Sequence, residues 1–118
     1  MIVAKSIEFD AAHFLPNYPG KCVNMHGHRF LIELGVSGQV DEVTGMVIDF
    51  TVLKMFLVQI KENLDHHLLN DVIPNPTAEN ICRYVKYKYY EQDWGFGDVK
   101  LDFIRVWETE DSYAEVSG

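Results

Sequence analysis

Between His13 and His28 the chain carries three histidines and a thiol: His13, Cys22, His26 and His28. Side chains alternate across a strand, so His26 and His28, two residues apart, point to the same face and are aimed at one point. Imidazole pairs of this kind suit a metal ion. Catalytic zinc typically takes three protein ligands and keeps a fourth position open, and His13, brought alongside by a neighbouring strand, is the natural third ligand. An all-imidazole open set favours zinc without excluding copper or iron. Two readings of Cys22 stand side by side. Near a divalent ion it is a thiolate able to act as a base, or it is a fourth ligand that closes the site into a structural one.

The elements that must position these residues follow from periodicity. Residues 2–10 alternate, with Val3, Ile7 and Phe9 on one face and Lys5 as that face's exception, which predicts a strand ending at Ala11, Ala12 and His13. Leu15 to Gly20 is rich in turn formers and returns the chain to Cys22. A second strand over 28–37 places His28, Phe30, Ile32, Leu34 and Val36 on one face, with Arg29 and Glu33 on the other. If the two strands run antiparallel, the His26-Gly-His28 pair lies beside the end of the first.

Phe50, Leu53, Phe56, Leu57, Ile60 and Leu64 then recur at threes and fours, predicting a helix capped by Asp49. Asp65 to Asn70 follows as a short structured turn. A second helix begins after Thr77 as N-cap, with Glu79 well placed against its dipole and Ile81, Tyr84, Val85 and Tyr89 as apolar positions. Gly95-Phe-Gly97 reads as a turn before a third strand over 99–108, with Leu101, Phe103 and Trp107 on one face and Ile104 and Val106 on the other. The last strand covers 112–116. The expected fold is α+β: a four-stranded antiparallel sheet with two helices on one face. Its open edges predict an oligomer.

The totals bound the function. At 118 residues the chain is expected to form one domain, 1–118, with 47% hydrophobic residues to build a core. A formal net charge of −8 argues against an extended nucleic-acid interface. The first ten residues carry Lys5 and Glu8 and no long apolar block, so neither a signal peptide nor a membrane span is expected, and the cytoplasm is the expected compartment. Cys22 and Cys82 are expected as free thiols.

Six motifs in order resemble one known family: Phe9-Asp-Ala-Ala-His13, Cys22-x-x-x-His26-Gly-His28, Gly45-Met-Val-Ile-Asp49-Phe50, Leu64-Asp65-His66-x-x-Leu69-Asn70, Pro76-Thr-Ala-Glu79-Asn80 and Glu108-Thr109. Together they resemble the 6-pyruvoyl-tetrahydropterin synthase family over essentially the whole chain. The three-residue spacing between Cys22 and His26 is similar to its bacterial branch that forms the carboxy product in queuosine biosynthesis. The resemblance implies a ββααββ tunnelling fold (T-fold) whose subunits close into a barrel as a homohexamer, a dimer of trimers. It also implies a zinc-dependent lyase reaction converting 7,8-dihydroneopterin triphosphate to 6-carboxy-5,6,7,8-tetrahydropterin, acetaldehyde and triphosphate.

Carried over residue by residue, the resemblance makes His13, His26 and His28 the zinc ligands, Cys22 a general acid/base, and Asp65 with His66 a second proton-exchanging unit. Glu108 becomes the anchor of the pterin ring, with Thr77 and Glu79 beside it. Each has a plainer reading: Asp65-His66-His67 as a solvated turn, with His67 in any case at the surface, Glu108 as a solubilising edge charge, and Thr77 and Glu79 as helix caps. Cys82 reads as core. Lys21 and Arg29 flank the site and are the candidates for phosphate contacts. The rival activities are formation of the 6-pyruvoyl product from the same substrate, and a metal- and pterin-binding module without turnover.

Overall fold

The structure, a computed structural model, describes all 118 residues. Two long strands, β1 (Ile2–His13) and β2 (His26–Ser37), are followed by helices α1 (Phe50–Leu64) and α2 (Ala78–Glu91), then by β3 (Lys100–Thr109) and β4 (Ser112–Ser117). The four strands form one antiparallel sheet in the order β1-β2-β3-β4. Both helices lie on one face, α1 against β1 and α2 against β3 and β4. This is the expected ββααββ arrangement. One apolar cluster joins the layers: Phe9, Phe30, Ile32 and Leu34 from the sheet meet Leu53, Phe56, Leu57, Ile81 and Val85 from the helices.

The helix ends follow their sequence signals. Asp49 accepts from the Thr51 N–H, and Thr77 from the Asn80 N–H at 3.1 Å, so each side chain satisfies a donor the first turn leaves free. Phe50 departs from the periodic reading. As the first residue of α1 it lies half exposed, before the turn whose face meets the sheet, and the core contribution begins at Leu53.

The third strand also departs from simple alternation. Gly35 pairs with Phe103 but Val36 pairs with Leu101, so Asp102 is an extra residue, a β-bulge. The bulge shifts the parity of β3. Leu101 therefore shares the helix-facing side with Ile104 and Val106, all three buried, while Phe103, Arg105 and Trp107 face away. The alternation expected from sequence, with Leu101 beside Phe103 and Trp107, assumed an uninterrupted strand. A second irregularity follows where Trp107 pairs with Tyr113 and Thr109 with Ser112, leaving Glu108 as the unpaired residue.

On the helix-free face Trp107 hydrogen-bonds Glu33, and Arg105 bonds Glu115 at 2.6 Å while lying over the Phe103 ring. Phe103 lies across Gly35, and a Cβ there would overlap the ring. Gly35→Ala is expected to lower stability by about 1–3 kcal/mol through overpacking. Gly27→Ala, where the nearest atom to the new Cβ would be the Ala11 carbonyl oxygen at 3.7 Å, should be close to neutral. Urea denaturation of the two variants checks the difference.

Candidate metal centre

The β1–β2 register aligns His13 with His26 and Ala11 with His28, so the last residue of one strand faces the first of the other. All three imidazoles stand on the helix-facing side, on an apolar floor. Phe30 meets the rings of His13 and His28 edge-on and is itself stacked on Phe9. His13 is fully buried, the only buried polar or charged side chain in the protein. The ring atoms His13 Nε2 and His26 Nε2 are 3.0 Å apart. Glu108 reaches the same point from β3, its Oε1 lying 3.2 Å from His13 Nε2 and 3.4 Å from His28 Nε2.

Backbone carbonyls decide which ring nitrogens carry hydrogen. His13 Nδ1 lies 2.8 Å from the Pro76 carbonyl oxygen, and His26 Nδ1 lies 2.8 Å from that of Asn24. A carbonyl only accepts, so in the neutral rings Nδ1 donates and each Nε2 keeps its lone pair. Two lone pairs and a carboxylate oxygen then converge without a donor among them, an arrangement that a cation resolves. Burial depresses the His28 pKa, against the opposing pull of Glu108. That favours the neutral, ligating form.

Three of the spacings, 3.0, 3.2 and 3.4 Å, fit neighbouring ligands of one ion. Two atoms each about 2.1 Å from a common zinc at the tetrahedral angle lie about 3.4 Å apart. His13, His26, His28 and Glu108 thus form a group able to hold a metal, with their ligand atoms all within 4.8 Å of one another. The outer hydrogen bonds to Pro76 and Asn24 orient the rings as metal-ligating histidines require.

The other residues singled out in sequence lie around this cluster. Cys22 sits half-buried in a short 3-10 turn, Lys21–Val23, and is not one of the four clustered groups. Asp65 Oδ1 accepts the Asp10 N–H at 2.9 Å, and the His66 N–H donates to the Asp10 carbonyl at 2.7 Å. These bonds staple the turn to the outer edge of β1 and hold His66 in the left-handed region at φ 56°. Its exposed ring stands 3.6 Å from Asp65 Oδ2. A cavity of about 570 Å³ is lined by Ala12, His28, Arg29, His66 and His67 among others, so His28 borders both the cluster and the turn. Arg29 is paired with Asp10 at 3.0 Å, whose carboxyl it holds below the usual range, and Lys21 is exposed.

Thr77 spends one lone pair on its cap, and Glu79 is exposed in the first turn of α2. The atom of that stretch that touches the cluster is the Pro76 carbonyl, which sequence reading missed. Backbone acceptors leave no side-chain signature. Asn70 was visible only as part of a motif; it brackets Phe14 with two bonds, Oδ1 from the N–H at 3.0 Å and Nδ2 to the carbonyl at 2.9 Å, pinning the chain just past His13. Cys82 is the inert thiol, buried in the core with its pKa pushed up to about 11.

A convergent imidazole and carboxylate site at the mouth of a ββααββ sheet defines a tunnelling-fold protein built around a candidate metal centre. Residues 2–118 match the 6-pyruvoyl tetrahydropterin synthase family, and the chain belongs to it. A 6-carboxy-5,6,7,8-tetrahydropterin synthase from Synechocystis is 40% identical over 115 residues, covering 92% of this chain and 86% of that protein. A dihydroneopterin monophosphate aldolase from Pyrococcus furiosus is 36% identical over 100 residues, covering 85% and 82%. The fold matches that of Caenorhabditis elegans 6-pyruvoyl tetrahydropterin synthase with a TM-score of 0.85 at 24% identity, over 100% of this chain and 95% of that one.

Purified protein is expected to bind one divalent ion per chain. His26→Ala and His28→Ala should abolish stoichiometric binding, whereas Cys22→Ser should leave it intact. Elemental analysis after dialysis against zinc measures this, and loss of metal in Cys22→Ser would instead support the closed structural site.

Proposed function

We propose that the protein is a zinc-dependent lyase that converts 7,8-dihydroneopterin triphosphate and one water to 6-carboxy-5,6,7,8-tetrahydropterin, acetaldehyde and triphosphate, within queuosine biosynthesis in the cytoplasm. The observation that carries this reading is the convergence of three imidazoles and one carboxylate on one point, in a chain 40% identical to a synthase named for that product. Zinc held by His13, His26 and His28 would supply Lewis acidity to the side-chain hydroxyls of the substrate.

The chain's own groups divide the remaining work. Cys22 moves a proton on one side of the substrate side chain, and His66, oriented by Asp65, moves one on the other. The staple from Asp10 to Asp65 and His66 supports this role, because a left-handed backbone at a histidine is maintained only where surrounding bonds hold it. Glu108 accepts the paired N–H groups of the pterin's guanidine-like edge. Thr77, whose hydroxyl still has its hydrogen to donate, and Glu79 border the ring.

A second reading is favoured by the likeness to the monophosphate aldolase. Retro-aldol cleavage of the C1′–C2′ bond of dihydroneopterin monophosphate would give 6-hydroxymethyl-7,8-dihydropterin and glycolaldehyde phosphate. Formation of the 6-pyruvoyl product and pterin binding without turnover remain as further rivals. Mass spectrometry after incubation with each substrate separates them. Acetaldehyde with free triphosphate is expected; glycolaldehyde phosphate, retention of every side-chain carbon, or no turnover would each select a rival. Cys22→Ala is expected to lower kcat by about 10²–10⁴-fold with metal retained.

Assembly as a homohexamer is part of the same proposal. The outer edge of β1 is covered only at its end, where the turn after α1 bonds to Asp10 and Ala12, leaving the stretch from Ile2 to Glu8 open, and β4 leaves the opposite edge open. The chain is also long for its mass. Its radius of gyration of 15.2 Å compares with about 13.5 Å for a compact domain of this length. Native mass spectrometry is expected to give six times the 13.6 kDa chain.

A further inference from the structure

We propose that Glu108 is an exchangeable ligand: its carboxylate completes the coordination of the cation held by His13, His26 and His28 while the pterin pocket is empty, and transfers to the pterin's guanidine-like edge when substrate enters. The transfer rests on the pterin reading above; the ligation does not.

One oxygen carries the ligation. Glu108 Oε1 lies within 3.2 Å of His13 Nε2 and 3.4 Å of His28 Nε2, and those two nitrogens are its side chain's polar partners. Both separations match the edge of a tetrahedral zinc site, about 3.4 Å. With its Nδ1 hydrogen on the Pro76 carbonyl, neutral His13 turns a lone pair, not a donor, towards this oxygen, and a shared cation accounts for the approach. Paired hydrogen bonds to a guanidine-like edge use both carboxylate oxygens, so Glu108 cannot serve the ion and the ring in full at once.

The backbone allows the exchange. Glu108 is the unpaired residue of the irregularity at the end of β3, and its side chain is 30% exposed. The extra residue of a bulge already stands outside the ladder, so turning its side chain breaks no strand pair. Charge gives the exchange a purpose. Three neutral imidazoles leave a divalent ion's charge uncompensated, and Glu108 offsets part of it in the resting protein. When the carboxylate leaves for the pterin, a coordination position opens for a substrate hydroxyl, so the site opens only as the ring docks.

Cobalt(II) is the probe, loaded into stripped wild-type, Glu108→Gln and Glu108→Ala proteins whose folding is checked by circular dichroism. Chelator competition is expected to show at least about tenfold weaker binding in both variants, a change of about 1.4 kcal/mol. Their visible cobalt bands should shift from those of the wild type. Adding neopterin to the wild type should move its bands in the same sense. Unchanged affinity and spectrum in both variants overturn the ligation. Neopterin that binds by calorimetry yet leaves the wild-type bands unmoved overturns the exchange. Neopterin that does not bind at all defeats the pterin reading, and weakened cobalt binding in the variants then still establishes Glu108 as a ligand.

Discussion

Two inward-turned imidazole lone pairs beside a carboxylate set the terms for this molecule. The Nε2 atoms of His13 and His26 and a carboxylate oxygen of Glu108 converge, with the His28 ring completing the group, and the Pro76 and Asn24 carbonyls fix the lone pairs inward. Such a grouping costs energy unless a cation fills it, so the protein must hold it together by other means. Those means are the twelve-residue ladder between β1 and β2, the apolar floor of Phe9 and Phe30, and the stapling of the chain past His13 by Asn70. The site is therefore rigid on the histidine side. Its adjustable member is Glu108, on a strand end where the ladder is already interrupted.

The rest of the fold works at that boundary. α1 leads into the turn that covers the last edge positions of β1, so the same segment that carries Asp65 and His66 also closes the sheet beside the metal cluster. α2 begins where Pro76 offers its carbonyl to His13, and the cap at Thr77 places that carbonyl by fixing the first helical turn. The start of α2, which looks like ordinary capping, is thus also a support of the site. The helix-free face, with Trp107, Arg105, Glu33 and Glu115 in one polar and aromatic network, is organised independently of the cluster.

Much of this was legible in the residues. Alternation in β1 and β2, the threes and fours of α1, and the caps at Asp49 and Thr77 are local signals, and the elements they predict are the ones formed. The histidine pair was legible because a period of two admits only one geometry. Less was legible where a residue's direction depends on a neighbour. Phe50 fits the helical period but precedes the turn that meets the sheet. Alternation groups Leu101 with Phe103 and Trp107, but the extra residue at Asp102, which has no compositional mark, turns it to the opposite face.

Glu108 shows the division most clearly. Its identity and its place at the end of an apolar strand are properties of the sequence, and they suffice to suggest a carboxylate with a task. Which side of the sheet it serves is not. Counted from Leu101 along an unbroken strand it would point away from the helices. The bulge at Asp102 reverses that parity and brings it to His13 and His28. By itself the sequence determined the donor set, the elements and their order, because propensity, capping and periodicity are local. The tertiary structure alone decided the meeting of β1, β2 and β3 at one point, the carbonyls that orient the rings and the side to which Glu108 turns. Strand register and backbone hydrogen bonds between distant segments are set by packing the whole sheet against its helices.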